Sequence, residues 1–458
     1  MENKNSVVKL SLFAITWPIF IEMGLQTFLR TADTFMLSRV SDEAVAAVGV
    51  SNQIIMFAFF MLNIISLGAA VVITQYLGAK KHQEIGKLVA TSILLNLLFG
   101  LLISSIIFFF SNQLLNMFGL EDILFGLAKS YLVIAGSMMF VQAVFITVVA
   151  IIQSHGYTRE TMLVTVFINI LNIIGNYLFI YGALGFPQLG VPGVAISTVF
   201  SQCVGLLINL YILTHKVRIR LTWKHFYKWQ KDHVTKILKI GLPSSATMLS
   251  YNASQIITTS FIVSLGAEEL TTRIYTQNVM FFIMVLAISL GRGGQIITGH
   301  LVGAGEMDHA YKQTIKNLKI SWLITIPTVV VINLFSKQIL GLFTSNPEIV
   351  SLGVSLLLLG FLLEPGRNFN IVVERSLQAA GDARYSMVVS ICVIWCFTVP
   401  VTYLMGIHWG FGLIGIWITF VADEWIRGLF LYFRWRSRAW ENKALVKQKI
   451  TKPKAITG

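Results

Sequence analysis

The stretch FLLEPGRNFNIVVER (361–375) places Glu364, Arg367, Asn368, Asn370, Glu374 and Arg375 in an otherwise apolar run. An α-helix turns about 100° per residue, so Glu364, Arg367, Asn368, Glu374, Arg375 and Gln378 fall within about 120° of one another. Near the start of the chain, Glu22, Gln26, Arg30 and Asp33 fall at about 0°, 40°, 80° and 20° and form a second stripe. Asn169, Asn172 and Asn176 lie within about 60° and form a third. Carboxylates in such places suit reversible binding of protons or cations. Desolvation favours their neutral form and a bound cation favours the ionised form, so an ion and a substrate can compete for one site. The plain alternative is internal ion pairing: Glu364 with Arg367, Asp33 with Arg30, and Glu374 with Arg375. Glu22 has its nearest base eight residues away and reads as a proton or cation site.

Pro365 and Gly366 follow Glu364 directly. A proline inside a helix removes a hydrogen bond and kinks or breaks it, and a freed carbonyl at mid-membrane can ligate a cation or anchor a hinge. Arg292, in SLGRGGQIITG, begins a glycine cluster that suits close helix packing rather than phosphate binding. Asp423, Glu424 and Arg427 read as an interior charge cluster near the cytoplasmic face. Gln277 and Tyr251 join Glu364, Pro365, Arg367, Asn368 and Arg292 as candidate substrate or gating residues.

The elements that carry these residues are membrane spans. The chain has 458 residues, 55% hydrophobic and only 12% charged, with a mean hydropathy of +0.73. A soluble domain carries roughly twice that charge fraction. LVATSILLNLLFGLLISSIIFFF (88–110) is uncharged and long enough to cross a hydrocarbon core of about 30 Å. Twelve spans are predicted, near 10–36, 47–77, 87–111, 126–153, 161–183, 190–214, 238–266, 274–302, 317–336, 347–378, 386–407 and 411–433. One set of connecting segments and termini holds 26 lysines and arginines, and the other set holds Arg39, Lys129, Arg273 and Lys337. That bias predicts a cell-membrane protein with both termini cytoplasmic. It also accounts for the net charge of +14 without a nucleic-acid partner. The first apolar run has no cleavage pattern of a signal peptide. Cys203, Cys392 and Cys396 all lie in apolar runs, so neither a disulfide framework nor a metal site is expected.

The halves resemble each other at an offset of about 225 residues. QSHGYTRETM (153–162) aligns with QAAGDARYSM (378–387), Pro18 with Pro243, and GVPGVAI (190–196) with GLIGIWI (412–418). ITQYLGAKK (73–81) aligns with ITGHLVGAGE (297–306) after a small slip. Six spans per half give both halves the same orientation. The fold class is therefore all-α: two parallel six-helix bundles related by a pseudo-two-fold axis along the membrane normal. The lobes are 1–214 and 237–433, joined by a basic cytoplasmic linker at 215–236 and followed by a basic cytoplasmic tail at 434–458. Two such bundles enclose a cleft, and rocking one against the other opens it to alternate sides.

The chain lacks a G-x-x-x-x-G-K-[ST] loop, a G-x-S-x-G elbow and an H-E-x-x-H pair. That argues against a nucleotide motor and against hydrolytic chemistry. Ion-driven transport, lipid flipping or a channel remain. Several ordered stretches resemble the multidrug and toxic compound extrusion (MATE) transporters over nearly the whole length. They are Pro18, DTFMLSRVSDEAVAAVGVSNQ (33–53), SLGAAVVITQYLGA (66–79), HGYTRETM (155–162), NILNIIGNYLFIYG (169–182), GVPGVAIST (190–198) and ERSLQAAGD (374–382). The resemblance implies export of amphipathic organic cations and drugs from the cell in exchange for H⁺ or Na⁺, by a monomer with no other cofactor. It places the family's N-lobe cation site, a possible Na⁺ site, on Asp33, Asn172, Asn176 and Thr198, where some members carry aspartate at the Asn176 position. The family's second site uses an acid in the seventh span. Here MLSYNASQ (248–255) offers Tyr251 and Asn252 and no acid, and the partner acid corresponds to Glu364. A flippase for a lipid-linked pyrophosphate is the competing reading, kept open by Arg30, Arg292 and Arg367; a channel or receptor is the remaining class.

Overall fold

Side-chain caps set where two of the described helices begin. Ser41 accepts from the Ala44 amide at 3.1 Å and opens the second helix. Asn346, followed by Pro347, accepts from the Glu348 amide at 2.9 Å and opens the tenth. Such side chains satisfy amides that have no partner inside the helix. A computed structural model describes residues 11–222, 225 and 230–446. The predicted residues 1–10, linker positions 223, 224 and 226–229, and tail positions 447–458 lie outside the described residues.

Twelve helical segments follow. They are α1 (Leu12–Ser38), α2 (Asp42–Gly78), α3 (His82–Asn116), α4 in two arms (Asp122–Ser137 and Met139–Ser154), α5 (Thr158–Tyr181) and α6 (Val191–Lys216). Then come α7 (Lys231–Leu265), α8 (Ala267–Ala304), α9 (Met307–Leu334), α10 (Pro347–Ala379), α11 (Ala383–His408) and α12 (Gly412–Arg436). Among the described residues nine helices are long and apolar enough to cross a membrane, and α4, bent by 47° at its joint, makes a tenth. α7 and α12 complete the twelve but carry more polar residues. Arg273, expected in an external loop, instead lies within α8 and is buried, donating to Thr259 and Gln255.

The helices form two six-helix bundles. In the first, α1 packs on α5, α5 on α6, and α2 on α3 and α4. In the second, α10 is central, packing on α8, α9 and α12. The bundles meet where α2 packs on α7 and α8, and α1 on α8. This seam displays the repeat. Gly78 and Gly303 are 225 residues apart. A Cβ on Gly78 would strike the His300 carbonyl, and one on Gly303 would strike that of Gln75, the repeat mate of His300. Thr74 and its mate Gly299 also face each other. The pairing therefore holds a constant offset of 225, and the one-residue slip in the sequence alignment is corrected to none. The turn glycines Gly156 and Gly381 likewise match, with φ 88° and 96°.

The inter-lobe contacts Gly68–Ile237, Gly241–Ile64 and Gly293–Thr16 lie in the same half of the bundle as Gly78–His300. That half adjoins the loops rich in lysine and arginine and is called here the basic end. Gly303→Val places a branched side chain against a backbone. Overpacking of this kind costs about 1–3 kcal/mol, so the expected result is a lower melting temperature in detergent. A wild-type melting curve would show that the two backbones are not in close contact there.

Candidate functional site: one polar cluster in each lobe

In the N-lobe, three helices converge on Asp33. Asn176 of α5 donates to Asp33 Oδ1 at 2.5 Å. With its amide nitrogen turned toward Asp33, Asn172 donates to the same oxygen at 3.1 Å and accepts from Thr198 Oγ1 of α6 at 3.1 Å. The Asn172 backbone carbonyl accepts from Ser197 at 2.8 Å, which pins α6 to α5. Among the described residues no group donates to Asp33 Oδ2, and the buried Asn176 Oδ1 has no partner. A half-buried carboxylate and a free amide oxygen are the ligand types that hard cations and protons use. Arg30, one turn from Asp33, is exposed and makes no ion pair with it.

Glu22 stands apart from this group, although the expectation grouped it with Asp33. Eleven residues along α1 correspond to about 16 Å. Glu22 is buried and accepts from Gln153 of α4 at 3.0 Å and Thr161 of α5 at 3.1 Å. One stripe on α1 thus serves two clusters, because the lobe packs on it along its full length. Sequence reasoning missed Gln153 and Thr161; both sit in the stretch that aligns between the halves (153–162), which speaks there for duplication and for the family resemblance but not for a site.

In the C-lobe, Arg367 binds Glu364 at 2.7 Å and lies 3.7 Å from Glu424 of α12. Arg427 pairs with Asp423, and with Glu424 at 3.2 Å. Asn370 donates to Glu424 at 2.7 Å and Thr398 to Asp423 at 2.5 Å. The Tyr251 ring lies 5.9 Å from the Arg427 guanidinium. The α12 charges therefore sit at mid-height, joined to Glu364, and not near the basic end as expected. Spacings of three and four residues along α12 hold them on one face. Glu364 Oε2 is buried without a partner among the described residues.

Other expectations are corrected. α10 continues through Pro365 without a break. Indole N–H groups take the neighbouring carbonyls: Trp425 donates to Leu362 and Trp322 to Pro365, both at 2.9 Å. Asn368 faces α9, accepting from Ser321 at 2.5 Å and donating to Thr325 at 2.7 Å, so it serves helix packing. Gln277 is exposed on α8 and joins neither cluster. Arg292 forms no hydrogen bond or ion pair with Glu364 or Arg367; Gly291 beside it packs against Ile371 and the Arg375 stem. Glu374 and Arg375 make no ion pair and instead both bind Gln378, at 3.0 and 3.2 Å.

These polar clusters lie in a fold shared with known transporters. The MatE family model matches residues 18–178 and 243–404, one match in each lobe. The chain is 44% identical to the uncharacterized transporter YisQ of Bacillus subtilis, over 95% of this chain and 96% of that one. It is 27% identical to a probable multidrug resistance protein NorM of Thermotoga maritima, over 98% and 96% of the two chains. Among solved structures, an outward-facing multidrug resistance MATE transporter of the MOP superfamily superposes with a TM-score of 0.85, at 23% identity over 95% and 96% of the chains. That family comprises transporters and not enzymes. The chain is a multi-pass membrane protein of the MATE transporter family.

Proposed function

We propose that this protein is a monomeric antiporter of the cell membrane that exports amphipathic organic cations in exchange for H⁺ or Na⁺. The observation that carries the reading is Asp33, held by Asn172 and Asn176 with one carboxylate oxygen unpartnered among the described residues. Asp33 is the coupling group, and Asn172, Asn176 and Thr198 are its ligand set. A site with one carboxylate and neutral oxygens serves either ion. The lysine-rich basic end is cytoplasmic, as the charge bias of the loops supports. The inter-lobe contacts gathered at that end support a state closed to the cytoplasm. The test is dye-cation uptake into proteoliposomes under separately imposed pH and Na⁺ gradients. Uptake driven by one gradient names the ion, and uptake driven by neither sinks the antiporter reading.

Glu364, with Arg367 as its resting partner, serves the cargo. A cation entering the C-lobe replaces the guanidinium. Glu364→Gln removes one charge partner, worth about 1.4 kcal/mol, so the KM for the dye rises about ten-fold. An unchanged KM would make the pair purely structural.

A second reading, a flippase for a lipid-linked pyrophosphate, is favoured by Arg292, which among the described residues makes no hydrogen bond or ion pair, and by Arg375, which packs on the neighbouring Gly291 and there binds only Gln378. Saturable binding of a lipid pyrophosphate, lost in Arg292→Gln, would support it over drug export.

A further inference from the structure

The chain does not leave the bundle where α12 stops. From Ser437 it turns back beneath the C-lobe. Arg438 pairs with Asp308 at 2.5 Å and with Glu441 at 3.1 Å. Trp440 is fully buried, stacks on Trp435 at 4.1 Å, and donates to the Trp435 carbonyl at 2.9 Å. The Lys443 carbonyl rests on Gly381, where a Cβ would collide with it. Leu445 and Val446 then enter an apolar cluster that contains Ile73, Tyr76, Ile85 and Leu88 of the N-lobe and Ile237 of α7. The segment begins on the C-lobe and ends in the seam, against residues of both lobes.

Gln75 of α2 fixes it there. Its amide nitrogen donates to the Ala379 carbonyl at the end of α10, and its oxygen accepts from the Leu445 amide, both at 2.7 Å. The repeat supplies an internal comparison. His300, the mate of Gln75, bonds the carbonyl of Ser154, the mate of Ala379, at 2.9 Å. The two lobes therefore exchange a symmetric pair of hydrogen bonds, and only Gln75 carries a second bond, to the tail. Gln75 itself is fully buried. Opening the basic end would part Gln75 from Ala379 and bring Leu445 and Val446 into water.

We propose that residues 437–446 are a strap that holds the basic end of the two lobes closed, with Leu445 and Val446 as its wedge, and that the strap must leave the seam before that end opens. Burial of the two side chains in one state only biases the equilibrium toward that state. The inference rests on alternating access and is independent of the ion or cargo.

The test uses the full chain with Cys203, Cys392 and Cys396 replaced by serine and one reporter, Thr74→Cys, which lies buried against Gly299 in the seam. The rate of N-ethylmaleimide labelling reports opening. Two tail variants are compared: Leu445→Asp, which charges the wedge, and Leu445→Pro, which removes the amide donor and leaves Gln75 and Ala379 intact. Both are expected to raise the labelling rate about ten-fold. A second reporter, Leu357→Cys in the core of the C-lobe, is expected to stay unlabelled, which separates opening from unfolding. If Leu445→Asp also exposes Leu357→Cys, the Leu445→Pro chain decides. Labelling of Thr74→Cys at the rate of the unmutated tail, in a folded variant, overturns the strap. Faster labelling in a protein that moves no dye leaves the strap standing and removes the export reading.

Discussion

Asp33→Asn abolishes gradient-driven transport while leaving the fold intact. Asparagine keeps the shape and one oxygen, so Asn176 can still donate to it across what is now a 2.5 Å contact. What disappears is the negative charge. A hydrogen bond or ion contact to a charged group contributes about 1.5–3 kcal/mol, which is roughly a ten-fold to hundred-fold loss of ion affinity. Only the arm driven by the coupling ion should collapse; dye binding without a gradient should stay near wild type. The measurement is initial uptake in proteoliposomes of defined orientation, with wild type and Asp33→Asn at matched protein density. Uptake by Asp33→Asn at the wild-type rate would remove Asp33 from coupling and leave Glu22, the buried acid of the second N-lobe cluster, as the candidate.

Arg427→Leu is the most destabilising single change expected in the C-lobe. Arg427 is 4% exposed and is the shared partner of Asp423 and Glu424. Its removal leaves Asp423 without its cation and Glu424 with Arg367 alone, 3.7 Å away and already bound to Glu364. Breaking a buried ion pair from one side costs about 3–5 kcal/mol, because the remaining charge keeps its desolvation penalty. Thermal unfolding in detergent should show a clearly lower melting temperature. Neutralising the orphaned acids in the same chain, with Asp423→Asn and Glu424→Gln, should restore most of the loss, since the penalty belongs to the uncompensated charge and not to the missing arginine. If the triple variant melts no higher than Arg427→Leu, the defect lies in packing around the Arg427 stem. If Arg427→Leu alone melts like wild type, the cluster is hydrated and its charges were never costly.

Much of the site was visible in residue types. Glu364, Arg367 and Asp33 stood out because a charge in an apolar span is costly unless it faces protein or water. The Glu364–Arg367 contact follows from a spacing of three residues. The failures share one cause. Asp33 and Arg30 are also spaced for a pair, yet Asp33 turns to Asn176, 143 residues away, because α5 packs on that face of α1. Pro365 predicts a kink or a break, yet α10 runs through it as one helix, with Trp322 and Trp425, from two other helices, donating to the Pro365 and Leu362 carbonyls. Asn368 shares a face with Glu364 by angle, but α9 covers it first.

By itself the sequence determined the spans, their parity and the duplication. Those depend on local quantities: the length of an apolar run against the bilayer, lysine and arginine in the loops, and recurrence at a constant offset. Only the tertiary structure decided partners. It joined Glu364 to the α12 charges, separated Glu22 from Asp33, and returned Leu445 and Val446 to the seam between the lobes. Helical periodicity says which residues share a face, but the direction of that face and the depth of its neighbour are set by how helices pack, and packing is a property of residues far apart in the chain.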